Sequence, residues 1–215
     1  GIYVATSGAY NGFTDMIIST DDGKTFKRIP PYTGVGGLND IIYGNNTFVA
    51  VGSSGYILTS TDGMVWTRQN TGNSTNLFAV AYENGLFLAG GSSGTILTSS
   101  SAIGSSWSST TPATSNTIRD FAYGNSIYVA VASGQGTILT SSNGTSWTTQ
   151  TSGTTAYLNC VTYGNGVFVI GGSSGTILTS TNGTTWTSRT SGYSGSEQFF
   201  GINYTSNGTF VVMGT

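Results

Sequence analysis

Histidine is absent from this sequence of 215 residues, and cysteine occurs once, as Cys160. A Ser-His-Asp triad, a histidine-based metal site and a thiolate cluster are therefore excluded. The glycine-rich stretches connect strand to strand rather than strand to helix, so no phosphate-binding loop is indicated. We predict no metal and no cofactor. We expect Cys160 to be a buried, unreactive thiol, because its neighbours follow a strand pattern.

Charge is also scarce, at 7% of residues with a net charge of −2. Such a chain lacks the positive electrostatic potential needed to bind nucleic acid or an anionic membrane. We therefore predict neither partner. No apolar run approaches the roughly eighteen residues of a membrane helix, and no signal peptide is visible. The chain begins at Gly1 without methionine, which leaves processing, a tag or an upstream region open. Proline occurs three times, whereas 33 glycines suit many tight turns between short strands.

A repeat of about forty residues runs through nearly all of the chain. Its anchor is a tyrosine, usually followed by Gly-Asn, and successive anchors are 39, 41, 40 and 41 residues apart. An alternating apolar segment follows each anchor, then a Ser/Gly turn and a second segment of the type Ile-Leu-Thr. A further segment precedes the tyrosine, and another begins at a tryptophan. Together with the two segments after the anchor, these make four short strands per repeat. The anchors are Tyr43, Tyr82, Tyr123, Tyr163 and Tyr204, and the tryptophans are Trp66, Trp107, Trp147 and Trp186.

These repeats predict an all-β fold, a β-propeller of four-stranded antiparallel blades. A four-stranded unit has two apolar faces, and radial packing buries each against a neighbour, although a superhelical stack also satisfies the period. We predict a single domain, with five blades closed by joining N- and C-terminal strands, or six or more if the chain is a fragment. Strand counting leaves one strand too many, because residues 2–5 and 209–212 both occupy the second position. The predicted divisions are 1–37 with 199–215 for the shared closing blade, and 38–76, 77–117, 118–157 and 158–198 for complete repeats.

The turn between the third and fourth strands carries the most specific motif. Residues 19–26 read Ser-Thr-Asp-Asp-Gly-Lys-Thr-Phe, residues 60–66 are one residue shorter, residues 141–147 and 180–186 have Asn for Asp, and residues 99–107 have lost the acid. This pattern resembles the Asp-box (BNR-like) repeat of sialidases, sortilin-type receptors and photosystem II assembly-factor propellers. In such a turn the acid or amide accepts backbone hydrogen bonds and the aromatic packs into the blade. The resemblance implies the fold and not one function, since these propellers serve as enzymes, receptors and assembly factors.

A sialidase reading requires three arginines that clamp the substrate. Arg28, Arg68 and Arg189 fall on the predicted outermost strands, and only Arg119 falls on an inner strand, so the clamp is not supported. A glycoside hydrolase needs two carboxyl groups a few ångströms apart. Asp40 and Asp120 occupy the same repeat position, where hydrogen bonding to backbone is the competing interpretation. We predict that the chain is not an enzyme, with hydrolysis by Asp40, Asp120 or Glu197 as an alternative.

Positions that differ between repeats are the candidates for binding, because the framework itself recurs in every blade. Two such positions, four and three residues before each anchor tyrosine, lie at the start of the inner strands. The loops between blades place further variable residues on the same rim of the predicted channel. Aromatic rings beside amide, acid and guanidinium groups suit a sugar-binding surface, while loops that simply tolerate variation are the competing interpretation. The candidates are Asn39, Asp40, Phe78, Arg119, Asp120, Tyr157, Asn159, Tyr193, Glu197 and Phe200, with Tyr32 on the same rim.

We therefore predict a non-catalytic extracellular or virion-surface module that binds glycans or a protein through the channel mouth and inter-blade loops. A structural subunit of an appendage or larger assembly is the second interpretation. The surface, rich in Ser, Thr, Gly and Asn, resembles that of exported propellers, and an extracellular, cell-surface or virion-surface location follows as an expectation. Six N-glycosylation sequons are compatible with it, at Asn45, Asn73, Asn143, Asn182, Asn203 and Asn207.

Overall fold

A computed structural model describes residues 1–6, 16–29, 36–101, 107–193 and 195–215. The chain divides into two compact units, residues 1–91 with 97–109 and residues 92–96 with 110–215. Within the described ranges the regular elements are β-strands apart from two 3-10 turns, Ser53–Gly55 and Ser92–Gly94. No helix in these ranges is long and apolar enough to cross a membrane.

The first unit contains a three-stranded N-terminal sheet and two four-stranded sheets, blade 1 and blade 2, all antiparallel and in sequence order. Ile96, the first residue of blade 2's third strand, is assigned to the second unit. The N-terminal sheet comprises β1 (Tyr3–Thr6), β2 (Met16–Ser19) and β3 (Lys27–Ile29); blade 1 comprises β4 (Leu38–Gly44), β5 (Thr47–Gly52), β6 (Ile57–Ser60) and β7 (Thr67–Gln69); blade 2 comprises β8 (Leu77–Glu83), β9 (Leu86–Gly91), β10 (Ile96–Ser99) and β11 (Ser108–Ser109).

The second unit contains two further four-stranded sheets, blade 3 and blade 4, and a two-stranded C-terminal sheet. Blade 3 comprises β12 (Thr117–Gly124), β13 (Ile127–Ser133), β14 (Thr137–Ser141) and β15 (Thr148–Gln150); blade 4 comprises β16 (Leu158–Gly164), β17 (Val167–Gly172), β18 (Ile177–Ser180) and β19 (Thr187–Arg189); the C-terminal sheet comprises β20 (Phe199–Tyr204) and β21 (Phe210–Gly214). The predicted repeat of four short strands is therefore present four times.

Three apolar cores lie between consecutive sheets of one unit. In the first unit, Met16 and Ile18 of the N-terminal sheet pack with Ala50 and Leu58 of blade 1, and a second cluster joins blades 1 and 2. In the second unit, Val129 and Ile138 of blade 3 pack with Phe168 and Leu178 of blade 4. Because both faces of a second strand are covered, every residue of β5 is buried. The segments after the anchors, which were predicted to alternate, are therefore continuous apolar runs.

The hairpin after each anchor tyrosine explains the recurring asparagine. Asn45 and Asn46 connect β4 to β5 with φ of 46° and 58°, and Asn165 and Gly166 connect β16 to β17 with φ of 48° and 78°. Two central residues with positive φ define a type I′ turn, for which Asn and Gly are the preferred residues. The recurring asparagine therefore suits the positive φ that the backbone of the hairpin needs.

The anchor glycine has a different role, because it provides room for the tyrosine of the next blade. A Cβ added to Gly44 would stand 2.3 Å from Cγ of Tyr82, and one added to Gly164 would stand 2.1 Å from Cγ of Tyr204. Real side chains do not approach this closely. Blade 1 and blade 2, and likewise blade 4 and the C-terminal sheet, therefore meet at a glycine–tyrosine contact.

The turn between third and fourth strands has the structural role expected from its sequence. Oδ1 of Asp62 accepts hydrogen bonds from the backbone N–H groups of Met64 and Val65, at 2.8 and 2.9 Å. Nε1 of Trp66 donates to the carbonyl oxygen of Gly63 at 3.0 Å. Asn143 and Asn182 accept equivalent bonds in blades 3 and 4. Membership of the Asp-box repeat family stays a prediction, and residues 102–106 of the divergent copy lie outside the described residues.

The two ends of the chain belong to separate sheets, β1-β2-β3 and β20-β21. Both strands that competed for the second position of a closing blade are present, as β1 and β21. The shared closing blade and the number of five blades stay predictions.

Candidate functional site

The first strand of every blade, and of the C-terminal sheet, begins with a β-bulge. The pairing register shifts near the start of β4, β8, β12, β16 and β20, so that one residue of each strand has no partner on the second strand. A bulge redirects a side chain, and bulges are frequent beside functional sites. The bulged residues, which we call the bulge row, are Asn39, Phe78, Arg119, Asn159 and Phe200.

The bulge row coincides with the variable position four residues before the anchor, which the sequence had selected for binding. Asn39, Arg119 and Phe200 are exposed, with Phe200 at 58%, whereas Phe78 and Asn159 are half-buried. The row thus combines amide, guanidinium and aromatic groups on one repeated backbone feature. Their use in binding stays a prediction.

Asp40, beside the bulge of blade 1, bonds to backbone on two strands. Its Oδ1 accepts the N–H of Ile41 and its Oδ2 accepts the N–H of Val80 in blade 2, both at 2.8 Å. Nδ2 of Asn39 donates to the carbonyl oxygen of Leu77 at 2.7 Å. Burial raises the pKa of Asp40, and the two N–H groups offset only part of this effect. The pair therefore links blade 1 to the bulge of blade 2.

The second unit repeats both halves of this arrangement. Asp120 accepts the N–H groups of Phe121 and Val161, both at 2.8 Å, which links blade 3 to blade 4. Nδ2 of Asn159 donates to the carbonyl oxygen of Phe199 at 3.0 Å. Hydrogen bonding to backbone, which was the competing interpretation for Asp40 and Asp120, is thus what the geometry contains. Each oxygen of the two carboxylates accepts a backbone N–H group.

Cys160 lies beside this link and matches its expectation. Its thiol is buried, and burial together with the nearby Asp120 charge raises its pKa to about 12. A thiol with such a pKa stays protonated at neutral pH and is a poor nucleophile.

The predicted rim residues of the second unit are exposed aromatics and one acid. Tyr157 and Tyr193 are 58% and 60% exposed, and the Tyr193 ring packs edge-on against Phe199 at 5.7 Å between centroids. Glu197 is half-buried, and its Oε2 is buried without a hydrogen-bond partner among the described residues. Tyr32 lies outside the described residues. Nowhere in the described ranges do three or more His, Cys, Asp or Glu side chains gather as for a metal ion.

The sequons lie on turns and edges. Asn45 is the first residue of a hairpin turn, and Asn203 and Asn207 are exposed. The Oδ1 atoms of the other three accept hydrogen bonds within their own turns, as at Asn73, Asn143 and Asn182. Their glycosylation stays a prediction.

Sequence reasoning located the bulge row without recognising the bulges. The available signal was a pair of polar residues inside an otherwise apolar strand, as in Asn39-Asp40 and Arg119-Asp120. It also missed a pocket of about 440 Å³ beside β21, which no motif indicates because its walls come from two sheets.

No protein-family profile matches the chain, and no curated protein matches its sequence. Solved structures do match its fold. YCF48 from Cyanidioschyzon merolae has a TM-score of 0.69 at 19% identity, over 94% of this chain and 71% of that one. A YCF48 bound to D1 peptide has a TM-score of 0.70 at 20% identity, over 98% of this chain and 74% of that one. A computationally designed protein, Ika8, has a TM-score of 0.66 at 14% identity, over 95% of this chain and 76% of that one.

The chain is accordingly an all-β protein of the β-propeller class, as its repeats predicted. It is similar in fold to the YCF48 propellers, which belong to the photosystem II assembly factors named by the sequence resemblance. At identities of 14 to 20% the likeness establishes the fold alone.

Proposed function

We propose that the chain is a non-catalytic propeller module that binds a segment of a partner protein through the bulge-row residues of its second unit, Arg119, Asn159 and Phe200, and the adjoining inter-blade loops. The observation that carries the proposal is the bulge at the start of each first strand, which presents Asn, Phe or Arg on an otherwise uniform scaffold. The protein-bound state of a similar propeller, the YCF48 bound to D1 peptide, supports the same class of partner.

The absence of a catalytic role is supported by the chemistry of the candidate carboxylates. Both oxygens of Asp40 and of Asp120 accept backbone N–H groups, and the sequence contains no histidine to act as a base. A general acid or nucleophile needs an oxygen that reaches substrate. Glu197, the third candidate, is a single acid, whereas glycoside hydrolysis needs a pair.

Glycan recognition on a cell or virion surface is the second candidate function. Tyr157, Tyr193 and Phe200 are each more than half exposed, which favours stacking on sugar rings. A glycan array tests this candidate directly, and binding lost in Tyr157→Ala would establish it in place of the protein ligand.

Peptides selected on the intact chain from a random displayed library provide the test of protein binding. Arg119→Ala and Phe200→Ala should each weaken the selected peptides by about tenfold, as truncation of a central contact does. Arg189→Ala and Phe26→Ala are matched controls, since Arg189 is exposed on an outer strand and Phe26 is 50% exposed in a turn. Equal losses in variants and controls, or no selected peptide, would contradict the proposal.

A further inference from the structure

One turn of blade 4, residues 173–175 between β17 and β18, brings together side chains from two inter-blade loops. On one side, the N–H of Ser173 donates to the carbonyl oxygen of Tyr157 at 2.8 Å, and the N–H of Tyr157 donates to Oγ of Ser173 at 3.0 Å. On the other side, the N–H of Gly175 donates to the carbonyl oxygen of Glu197 at 2.9 Å, and a Cβ added to Gly175 would stand 3.3 Å from Cβ of Tyr193. Tyr157, Tyr193 and Glu197 are therefore held around one turn, and we call these three residues the blade-4 rim.

The loop that follows blade 3 has the same framework but carries smaller side chains. The N–H of Gly136 donates to the carbonyl oxygen of Ala156 at 2.9 Å, which is the bond that the carbonyl oxygen of Glu197 accepts in blade 4. The N–H of Thr154 donates to the serine hydroxyl two residues earlier at 3.3 Å, as the N–H of Tyr193 does at 3.2 Å. Threonine and alanine thus satisfy the backbone at these two positions. The tyrosine and the glutamate of the blade-4 rim are therefore additions that the framework does not need.

Both tyrosines of the blade-4 rim present ring surface to solvent. Tyr157 is 58% exposed and Tyr193 is 60% exposed. The Tyr193 ring also lies edge-on against Phe199, at 5.7 Å between centroids, which restricts its orientation. The face of an aromatic ring carries negative charge density and attracts a cation within about 6 Å of its centre. Two such tyrosines beside one turn therefore favour a positively charged ligand.

Glu197 adds a negative charge that lacks a donor at one oxygen. The second unit contains four residues with charged side chains: Arg119, Asp120, Arg189 and Glu197. Asp120 accepts two backbone N–H groups, and Nε of Arg189 donates to Oγ1 of Thr179 at 2.8 Å on the outer strands. Oε2 of Glu197, in contrast, is buried without a hydrogen-bond partner among the described residues. Because burying a charge is costly unless it is paired, this carboxylate favours a cation beside it.

We infer that the blade-4 rim binds a lysine or arginine side chain of the partner segment. The cation lies against the tyrosine rings, and Glu197 supplies the opposite charge. The inference rests on the proposed function for its partner, a segment of a protein, and adds the charge that this segment carries.

The probe is the peptide Gly-Ser-Lys-Gly-Arg-Ser-Gly with acetylated and amidated ends, titrated into the isotope-labelled intact chain and followed by NMR. Saturable shifts are expected for the amides of residues 173–175 and 195–198 and for the rings of Tyr157 and Tyr193. A control peptide with norleucine for lysine and citrulline for arginine keeps the size of both side chains and removes their charge. It should bind weaker by on the order of tenfold, since it loses both the ring contacts and the charge pairing.

Tyr193→Thr and Glu197→Gln should each weaken the basic probe by about fivefold, because each removes one of the two attractions. Threonine is the residue that the loop after blade 3 carries at the position of Tyr193, so this variant should keep the fold. Tyr3→Thr and Asp22→Asn are the matched controls, since Tyr3 is 53% exposed on β1 and Asp22 is a 70% exposed acid. No shift at the blade-4 rim, equal binding of the neutral peptide, or equal losses in variants and controls would overturn the inference.

Failure of the cation site can be told apart from failure of the proposed function. Selected library peptides that depend on Arg119 and Phe200, with a basic probe that shifts no signal of the blade-4 rim, would overturn the cation site alone. A basic probe that binds at the blade-4 rim when the library yields no peptide would support the cation site and contradict binding through the bulge row.

Discussion

At the scale of a residue, Asp40 was selected from the sequence as a candidate site residue, and in the structure its side chain bonds to the backbone of two strands. Its carboxylate accepts the N–H groups of Ile41 and Val80, which belong to neighbouring blades. Both residues lie two positions beyond the bulged residue of an edge strand, Asn39 in β4 and Phe78 in β8. The carboxylate therefore bonds blade 1 to blade 2 next to the two bulges.

Replacing Asp40 should accordingly cost stability. Asp40→Ala leaves the N–H of Val80 without its acceptor and should lower the free energy of unfolding by about 1–3 kcal/mol, whereas Asp40→Asn retains one acceptor oxygen and should cost less. Chemical denaturation at neutral pH measures both. Asp22→Asn is the control: its carboxylate is 70% exposed, asparagine tolerates the φ of 61° at this position, and stability should change by less than about 0.5 kcal/mol.

The pH dependence of the same residue has a defined sign. Because burial raises the pKa of Asp40 above its ordinary 3.8, the folded state holds the proton more tightly than the unfolded state. Its contribution to stability is fully present below pH 3.8 and is lost as the pH rises through the folded pKa. Asp40→Asn should remove this dependence, and an unchanged difference between acidic and neutral denaturation curves would contradict the assignment.

At the scale of an element, the hairpins between first and second strands follow one rule with different residues. Blade 2 uses Asn84-Gly85 and blade 4 uses Asn165-Gly166, whereas blade 3 has Ser126 at the second turn position with φ of 62°. A serine in this conformation is strained relative to glycine. The hairpin of blade 3 is therefore the one whose sequence least suits its turn.

Ser126→Gly should raise the free energy of unfolding by about 0.5–1 kcal/mol, because glycine adopts this conformation without steric cost. Ser126→Ala, which keeps the Cβ atom and removes the hydroxyl, serves as the control and should not stabilise. Thermal unfolding distinguishes the two variants. A higher melting temperature for alanine than for glycine would show that backbone strain is not the cause.

At the scale of the whole chain, the sequence predicted features that depend on neighbouring residues and missed those that depend on pairing. The number of strands per repeat, the recurring anchor and the turn at Asp62 are local patterns and were found. The bulge at Asn39 depends on its register with β5, and the contact between Gly44 and Tyr82 depends on blade packing, so neither could be derived from one repeat. Candidate binding positions were found only through their variation between repeats.

The same dependence on neighbours predicts a gradient of stability within the second unit. A repeat stabilises its chain through the faces that it shares with adjacent repeats. Val129 in β13 and Val211 in β21 stand at equivalent positions of a second strand, but Val129 is 0% exposed and Val211 is 43% exposed. Val129→Ala should lower the free energy of unfolding by roughly 2 kcal/mol, through lost burial and a cavity. Val211→Ala, the matched control, should change it by less than about 0.5 kcal/mol.

Hydrogen exchange in the unmodified chain measures the gradient independently. Amides in β20 and β21 should exchange faster than those in β16 and β17, because the C-terminal sheet has fewer strands and more exposed side chains. Equal protection of the two sheets would contradict the gradient and would mean that β21 is covered in solution. The unfolding of the two valine variants and the hydrogen exchange therefore report on the same physical quantity. That quantity is the free energy that a sheet gains from the strand paired with it and the sheet packed against it.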